Sequence, residues 1–402
     1  MKRSEKERSP VGIRGAELTG QGDASTVDHR VSPSRHKLRR VLIMRSMSKT
    51  IMRIGYVTCA VLMAAVSVGR AEDAANAATK SPVAKAPSPT RADEPMAKNL
   101  SLAKAAEFLD AASLNWTQEK KCGSCHTNYP YMVARPFLKE GDGKSLAAIR
   151  SYFEDRAAHW DSKKPRWDTE VVATASALAC NDAHTTGKLH PLTRSALDRM
   201  WTLQKPDGSW EWLKCNWPPL EADDYYGVTV AALGTGIAPG GYAETPTARK
   251  GLAKIRAYLK ANTAPSLHHE TTLLWASCYL PDLMTASQRE EVIKQLLALQ
   301  RPDGGWNLPS LGHWKRHSGE LNDVTNSPSD GYATGLVVYV LRQAGLAKEH
   351  PAIERGIGWL STHQRESGRW FTRSLNDDKD HYITHAGSAY AVMALRACGV
   401  GD

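Results

Sequence analysis

The chain has 402 residues, with 52 Lys and Arg against 42 Asp and Glu and a formal charge of +10. That surplus suggests nucleic acid or an acidic membrane until it is divided along the chain: residues 1–71 hold 14 of the basic and 5 of the acidic residues, leaving 38 against 37 beyond them. The body is thus close to neutral, which excludes a basic nucleic-acid footprint, and about 300 residues remain to build a core.

In chain order the first element is a basic leader. Arg45, Lys49 and Arg53 precede an apolar run from Ile54 to Val68 that ends in Gly69-Arg70-Ala71. The pattern predicts a signal peptide cut near Ala71 and a periplasmic or secreted protein, with a retained anchor as the alternative. The run is short for a membrane span, and Met44 or Met52 would open a more usual signal. Residues 72–99, with Pro82, Pro87, Pro89 and Pro95, predict a disordered linker without chemistry of its own. Beyond the leader stand Cys122, Cys125, Cys180, Cys215, Cys278 and Cys398, of which the first two alone have motif spacing.

From residue 100 onward the pattern is helical and repeats in pairs. Segments 102–113 and 129–138, 145–158 and 168–180, and 251–260 and 269–280 form weaker copies. Three stronger copies carry a Gln-x3-Gly-x-Trp turn: Gln204 to Trp210, Gln300 to Trp306, and Gln364 to Trp370. The helix before each turn is apolar on one face, as in Ala196, Leu197, Met200 and Trp201. The segment after it is apolar nearly all round, as in 332–341 and 389–395, and must be buried on every side. Alternating helices of these two kinds predict two concentric rings of six hairpins, with each Gly serving as a left-handed cap.

These turns resemble the QW motifs of squalene–hopene and oxidosqualene cyclases, in the terpenoid cyclase and protein prenyltransferase superfamily, over roughly residues 100–400. The resemblance implies an all-α fold, a single α/α toroid of about six helical hairpins, and a hydrophobic isoprenoid ligand; another helical solenoid is the alternative. Full-length triterpene cyclases hold their substrate between two barrels, whereas this chain has helices for one. Fold alone therefore does not carry the activity.

Three groups of residues invite chemistry. Cys122-Gly-Ser-Cys125-His126 is the CxxCH attachment pattern for covalent c-type haem, with the thiols as thioether donors and His126 as iron ligand. A CxxC disulfide, part of a metal site, or a plain hairpin turn would share that spacing. Glu221-Ala-Asp223-Asp224 heads an apolar helix and resembles the Asp-x-Asp-Asp acid of class II terpene cyclases, which makes Asp223 and Asp224 the candidate catalytic pair. Asp168, Glu270 and Asp330 stand at comparable phases, so the competing reading is that all are helix caps. A prenyltransferase-like zinc site would need Asp330 and His385, two ligands where three are wanted.

His268-His269 reads as a solvated loop before a helix, and the long connection from Asn307 to Asn326 as a candidate lid. Three functions stay open: a cyclase-like enzyme, a periplasmic haem protein on a toroidal scaffold, and a binding module without activity.

Overall fold

The described part of the protein, in a computed structural model, is residues 86–401 apart from 124, 125, 163, 166, 215, 216 and 222. The predicted signal peptide, the first part of the linker, Cys125 and Cys215 lie outside it. Twelve α-helices occur among the described residues. They are α1 (Leu102–Lys120), α2 (Asn128–Ala134), α3 (Lys144–Ala158), α4 (Asp168–His184), α5 (Pro191–Thr202), α6 (Asp224–Ile237), α7 (Pro246–Ala261), α8 (Leu267–Ser277), α9 (Ala286–Ala298), α10 (Gly331–Gln343), α11 (Pro351–Thr362) and α12 (Ile383–Ala397).

The even-numbered helices form a closed inner ring. Each packs on the next even one, and α12 returns to α2. Their composition demands it, since every residue from Gly331 to Leu341 of α10 and from Ile383 to Leu395 of α12 is buried. The odd-numbered helices shelter them with one face; α9 buries only Val292 and Leu296. The outer starts are marked by local chemistry. Proline follows the N-cap in α5, α7 and α11, where its missing N–H costs nothing, and Thr285 and Gln288 form a capping box at α9. The fold is an all-α toroid, as its periodicity predicts.

The three motif turns hold the rings together in one way. The indole N–H groups of Trp210, Trp306 and Trp370 donate to the Met200, Leu296 and Leu360 carbonyls of the preceding outer helix at 2.9, 2.7 and 2.7 Å. The Gln204, Gln300 and Gln364 amides donate back to the motif glycine and across to the Gly251, Ala352 and Ser101 carbonyls of the next outer helix. The third of these contacts joins the turn after α11 to the start of α1. That contact closes the toroid.

Composition misleads at the linker. Residues 86–99, read as part of a disordered segment, lie against the third motif turn. Ala97 N–H donates to Gln364 O, Glu366 N–H to Pro95 O, and Glu94 pairs with the buried Arg369 at 2.8 Å. Arg369 also donates to Ser88 O and Thr90 Oγ1. Elsewhere element bounds shift both ways: α1 runs to Lys120 and α7 starts at Pro246 because Thr245 caps it, whereas α2 stops at Ala134 and α8 at Ser277.

Candidate functional site

All six inner helices point their N-termini to one mouth of the toroid, so the sequence-selected residues gather there in three sectors. The first is the head of α6. Asp223 is its N-cap, accepting the Tyr226 N–H at 3.0 Å, and its other oxygen meets His269 Nε2 at 2.9 Å. Burial alone would push the Asp223 carboxyl up, but the His269 hydrogen bond and charge and the N–H groups of Tyr226 and Tyr225 hold it below its usual range. Asp224 pairs with Lys205 at 3.1 Å and Lys214 at 3.4 Å and accepts the Trp212 N–H. An acid that protonates an alkene must keep its proton, whereas the contacts of Asp223 favour its ionised form and Asp224 sits between two lysines.

The capping expectation holds for some acids and fails for others. Asp330 caps α10 and spends its carboxylate on the Ala333 and Leu308 N–H groups and the Thr372 hydroxyl, while burial pushes it up to about 6. Asp168 and Glu270 lie in the first turns of α4 and α8, but the N-caps there are Trp167 and Ser266, neither with a side-chain capping bond to the backbone. His268 and His269, read as solvated, are both buried within α8, because an inner helix has no wet face. His268 shares a 2.8 Å hydrogen bond with Tyr332 and lies edge-on to Trp314 of the long connection. A small cavity lined by Tyr129, Thr169, Trp212, Leu220, Glu221 and Tyr226, but by neither Asp223 nor Asp224, measures about 10 Å³, room for about one water.

The acid pair yields a direct expectation. Asn caps nearly as well as Asp and the Lys pairs are partly solvated, so Asp223→Asn and Asp224→Asn should each change unfolding free energy by about 1 kcal/mol or less at pH 7. The Asp223 contribution is complete above its unfolded pKa near 4 and is lost as pH falls through the lowered folded value. The wild-type and Asp223→Asn urea curves should therefore converge in acid; a gap that widens there would contradict the assignment.

The second sector is the CxxCH segment, which lies between α1 and α2. His126 is half-buried, edge-on to Trp116 at 4.8 Å and stacked on Tyr382 at 5.5 Å. Its Nδ1 is 2.9 Å from Thr127 Oγ1, which is also 2.9 Å from Nδ1 of His385. Burial pushes His126 down to about 4 and His385 to about 3. His126 Nε2 makes no hydrogen bond among the described residues, and two neighbouring buried polar atoms, Trp116 Nε1 and Asn128 Oδ1, are unpartnered. Among the described residues no three His, Cys, Asp or Glu side chains gather as a metal site, and Asp330 and His385 serve separate contacts.

The third sector is a groove that the sequence did not signal, although Asn322, Asp323 and Asn326 of the long connection line it. It measures about 490 Å³ and runs between the connection into α10 and the loop into α12, with Ala92 of the docked N-terminal segment on its wall. Pro309, Pro328, Phe371 and Leu375 make it largely apolar. Its charges are engaged with neighbours: Arg373 is bidentate on Asp378, and Asp323 accepts from Asn326. His381 accepts the Ser374 N–H at Nδ1, which leaves Nε2–H as its donor.

No family model matches the chain. A stretch of 119 residues, 28% of the chain, is 31% identical to sporulenol synthase of Bacillus subtilis (strain 168) and covers 18% of that protein. A stretch of 80 residues, 20% of the chain, is 31% identical to a probable squalene–hopene cyclase of Sinorhizobium fredii and covers 12% of it. The matched stretches thus span less than a fifth of these relatives' length, and the likeness is a distant one to terpenoid-cyclase-like proteins. Among solved structures, a possible GH105-family member from Klebsiella pneumoniae has a TM-score of 0.44 at 13% identity, covering 67% of this chain and 80% of that one.

Proposed function

We propose that this chain is a terpenoid-cyclase-like toroid that binds a neutral isoprenoid in the groove between its mouth loops and does not protonate it at the acid pair. The observation that carries the reading is the contrast in space: about 490 Å³ in the groove against about 10 Å³ in the cavity lined by Glu221 and Tyr226. Ligand pockets commonly measure about 300–1,000 Å³. Asp323, Asp330 and Asp378 line the groove against a single Arg373 that is already paired, so the lining disfavours an anionic head group. The isoprenoid class is supported by the motif turns and by what the two relatives are named for.

Calorimetry with farnesol and farnesyl diphosphate tests this on the purified chain. Farnesol should bind at micromolar concentration and the diphosphate at least tenfold more weakly. Ser327→Trp, which fills the groove from its wall, should abolish farnesol binding with the circular dichroism spectrum unchanged. Equal binding by that variant, or preference for the diphosphate, would overturn the proposal.

A second reading is favoured by how His126 is held. With Nδ1 engaged, Nε2 without a hydrogen bond among the described residues and the ring held between Trp116 and Tyr382, His126 would serve as the iron ligand. Cys122 and Cys125 would supply the thioethers of a c-type haem in an exported protein; Cys125 itself lies outside the described residues. When bound, such a group supplies one-electron chemistry. Haem staining that survives a denaturing gel, and its loss in a Cys122→Ser, Cys125→Ser variant, is the expected result; unstained protein made with haem-maturation factors present removes this reading.

A further inference from the structure

We infer that the Thr127 hydroxyl locks His126 and His385 into opposite tautomers, so that a Lewis-acidic ligand at His126 would select the arrangement in which the Nε2 of that ring is bare. The identity of that ligand as haem iron rests on the second reading above; the coupling of the two rings does not. Thr127 is a positioning residue in this scheme.

The proton count carries the argument. Thr127 Oγ1 lies 2.9 Å from Nδ1 of both histidines. A hydroxyl owns one proton, so it donates to one ring nitrogen and must accept from the other. One imidazole therefore carries Nδ1–H and the other a bare Nδ1. A neutral imidazole has a single N–H, so the first ring has a bare Nε2 and the second an Nε2–H. Among the described residues, neither ring has a hydrogen bond or ion pair to a carboxylate that would hold a second proton, and each Nδ1 is engaged by Thr127.

The position of Thr127 adds an independent observation. It is the N-cap residue of α2, where a Thr hydroxyl ordinarily accepts a backbone N–H of the first turn. Here it makes no capping bond. The hydroxyl is diverted to the two rings, and its 2% exposure leaves no water to take either place. Of the two rings, His385 is set inside α12 with its edge on Phe108, while His126 stands half-buried beside Cys122. A Lewis acid at His126 Nε2 selects one arrangement: His126 Nδ1–H donates to Oγ1, Oγ1–H donates to His385 Nδ1, and His385 keeps Nε2–H. No atom is gained or lost, and the second-shell hydrogen bond strengthens the ligand.

Long-range proton–nitrogen NMR of the full chain labelled in its histidines, prepared without haem, reads the tautomers directly. Wild type should show one of the two rings protonated at Nδ1 and the other at Nε2. Thr127→Ser should preserve that opposition, and Thr127→Val should abolish it while leaving the helical spectrum intact. Both rings in one tautomer in wild type, or an unchanged opposition in Thr127→Val, would overturn the inference. In chain produced with haem-maturation factors, Thr127→Val should keep its thioether-bound haem but lose the histidine-ligated absorption spectrum, with Thr127→Ser restoring it. Should no haem be attached while the tautomers remain opposed, the haem reading fails and the coupling stands.

Discussion

Replacing Trp306 with Ala should lower the unfolding free energy by about 3–5 kcal/mol, the range for truncating a buried Trp. The ring is fully buried, its indole N–H donates to Leu296 O at 2.7 Å, and the residue's backbone N–H and C=O are both taken by the head of α10, through Thr334 Oγ1 and the Asp330 N–H. Truncation therefore opens a cavity between an outer helix and an inner one and frees a carbonyl that had a partner. Trp306→Phe keeps most of the volume and loses the hydrogen bond, so about 1–2 kcal/mol is expected. Urea unfolding with an unchanged slope measures both. A loss below about 0.5 kcal/mol for Trp306→Ala would show that the motif tryptophan is not structural.

The rings were legible because they are made of periodicity. Apolar residues at helical spacing separate one-faced from fully apolar helices, and the motif turn marks where one passes to the other; those signals lie within about twenty residues of each other. Contacts at the mouth obey no such rule. Asp223 meets His269 across 46 positions and Thr127 meets His385 across 258, separations that carry no local signature. The doubled histidine was misread for a related reason: two polar residues at a helix start look solvated, and only ring closure removes the water. The docked segment before α1 is held by backbone pairing to Gln364 and Glu366 and by one ion pair from Glu94 to Arg369. Neither backbone pairing nor a single carboxylate distinguishes a Pro- and Ala-rich strap from a free linker. The cap reading succeeded for Asp223 and Asp330 because capping chemistry is local, whereas the salt bridges that spend Asp224 come from the preceding turn and loop. The groove was not signalled by the sequence, although residues of the long connection line it, since it is the space left between two loops.

The glycine of the third motif should be the least replaceable backbone position in the ring. Gly368 has φ +95°, and a Cβ added there would lie 2.2 Å from Lys104 O and 2.4 Å from Lys104 C of α1. That obstacle is helix backbone, which cannot rotate aside as a side-chain tip can. Gly345, after α10, supplies the control: its φ is +100° and a Cβ would meet nothing within 4 Å. Gly345→Ala should therefore cost only the left-handed strain, about 1–2 kcal/mol. Gly368→Ala adds to that strain an overpacking cost of about 1–3 kcal/mol, and it pushes the turn off α1 at the point where Gln364 bonds to both the N–H and the C=O of Ser101. An unfolding free energy lower by more than about 3 kcal/mol is expected, together with faster proteolysis at the strap, because residues 94–97 dock on this same turn. Equal losses for Gly368→Ala and Gly345→Ala would mean that close approach adds nothing to conformation, and that the ring is not closed through this turn.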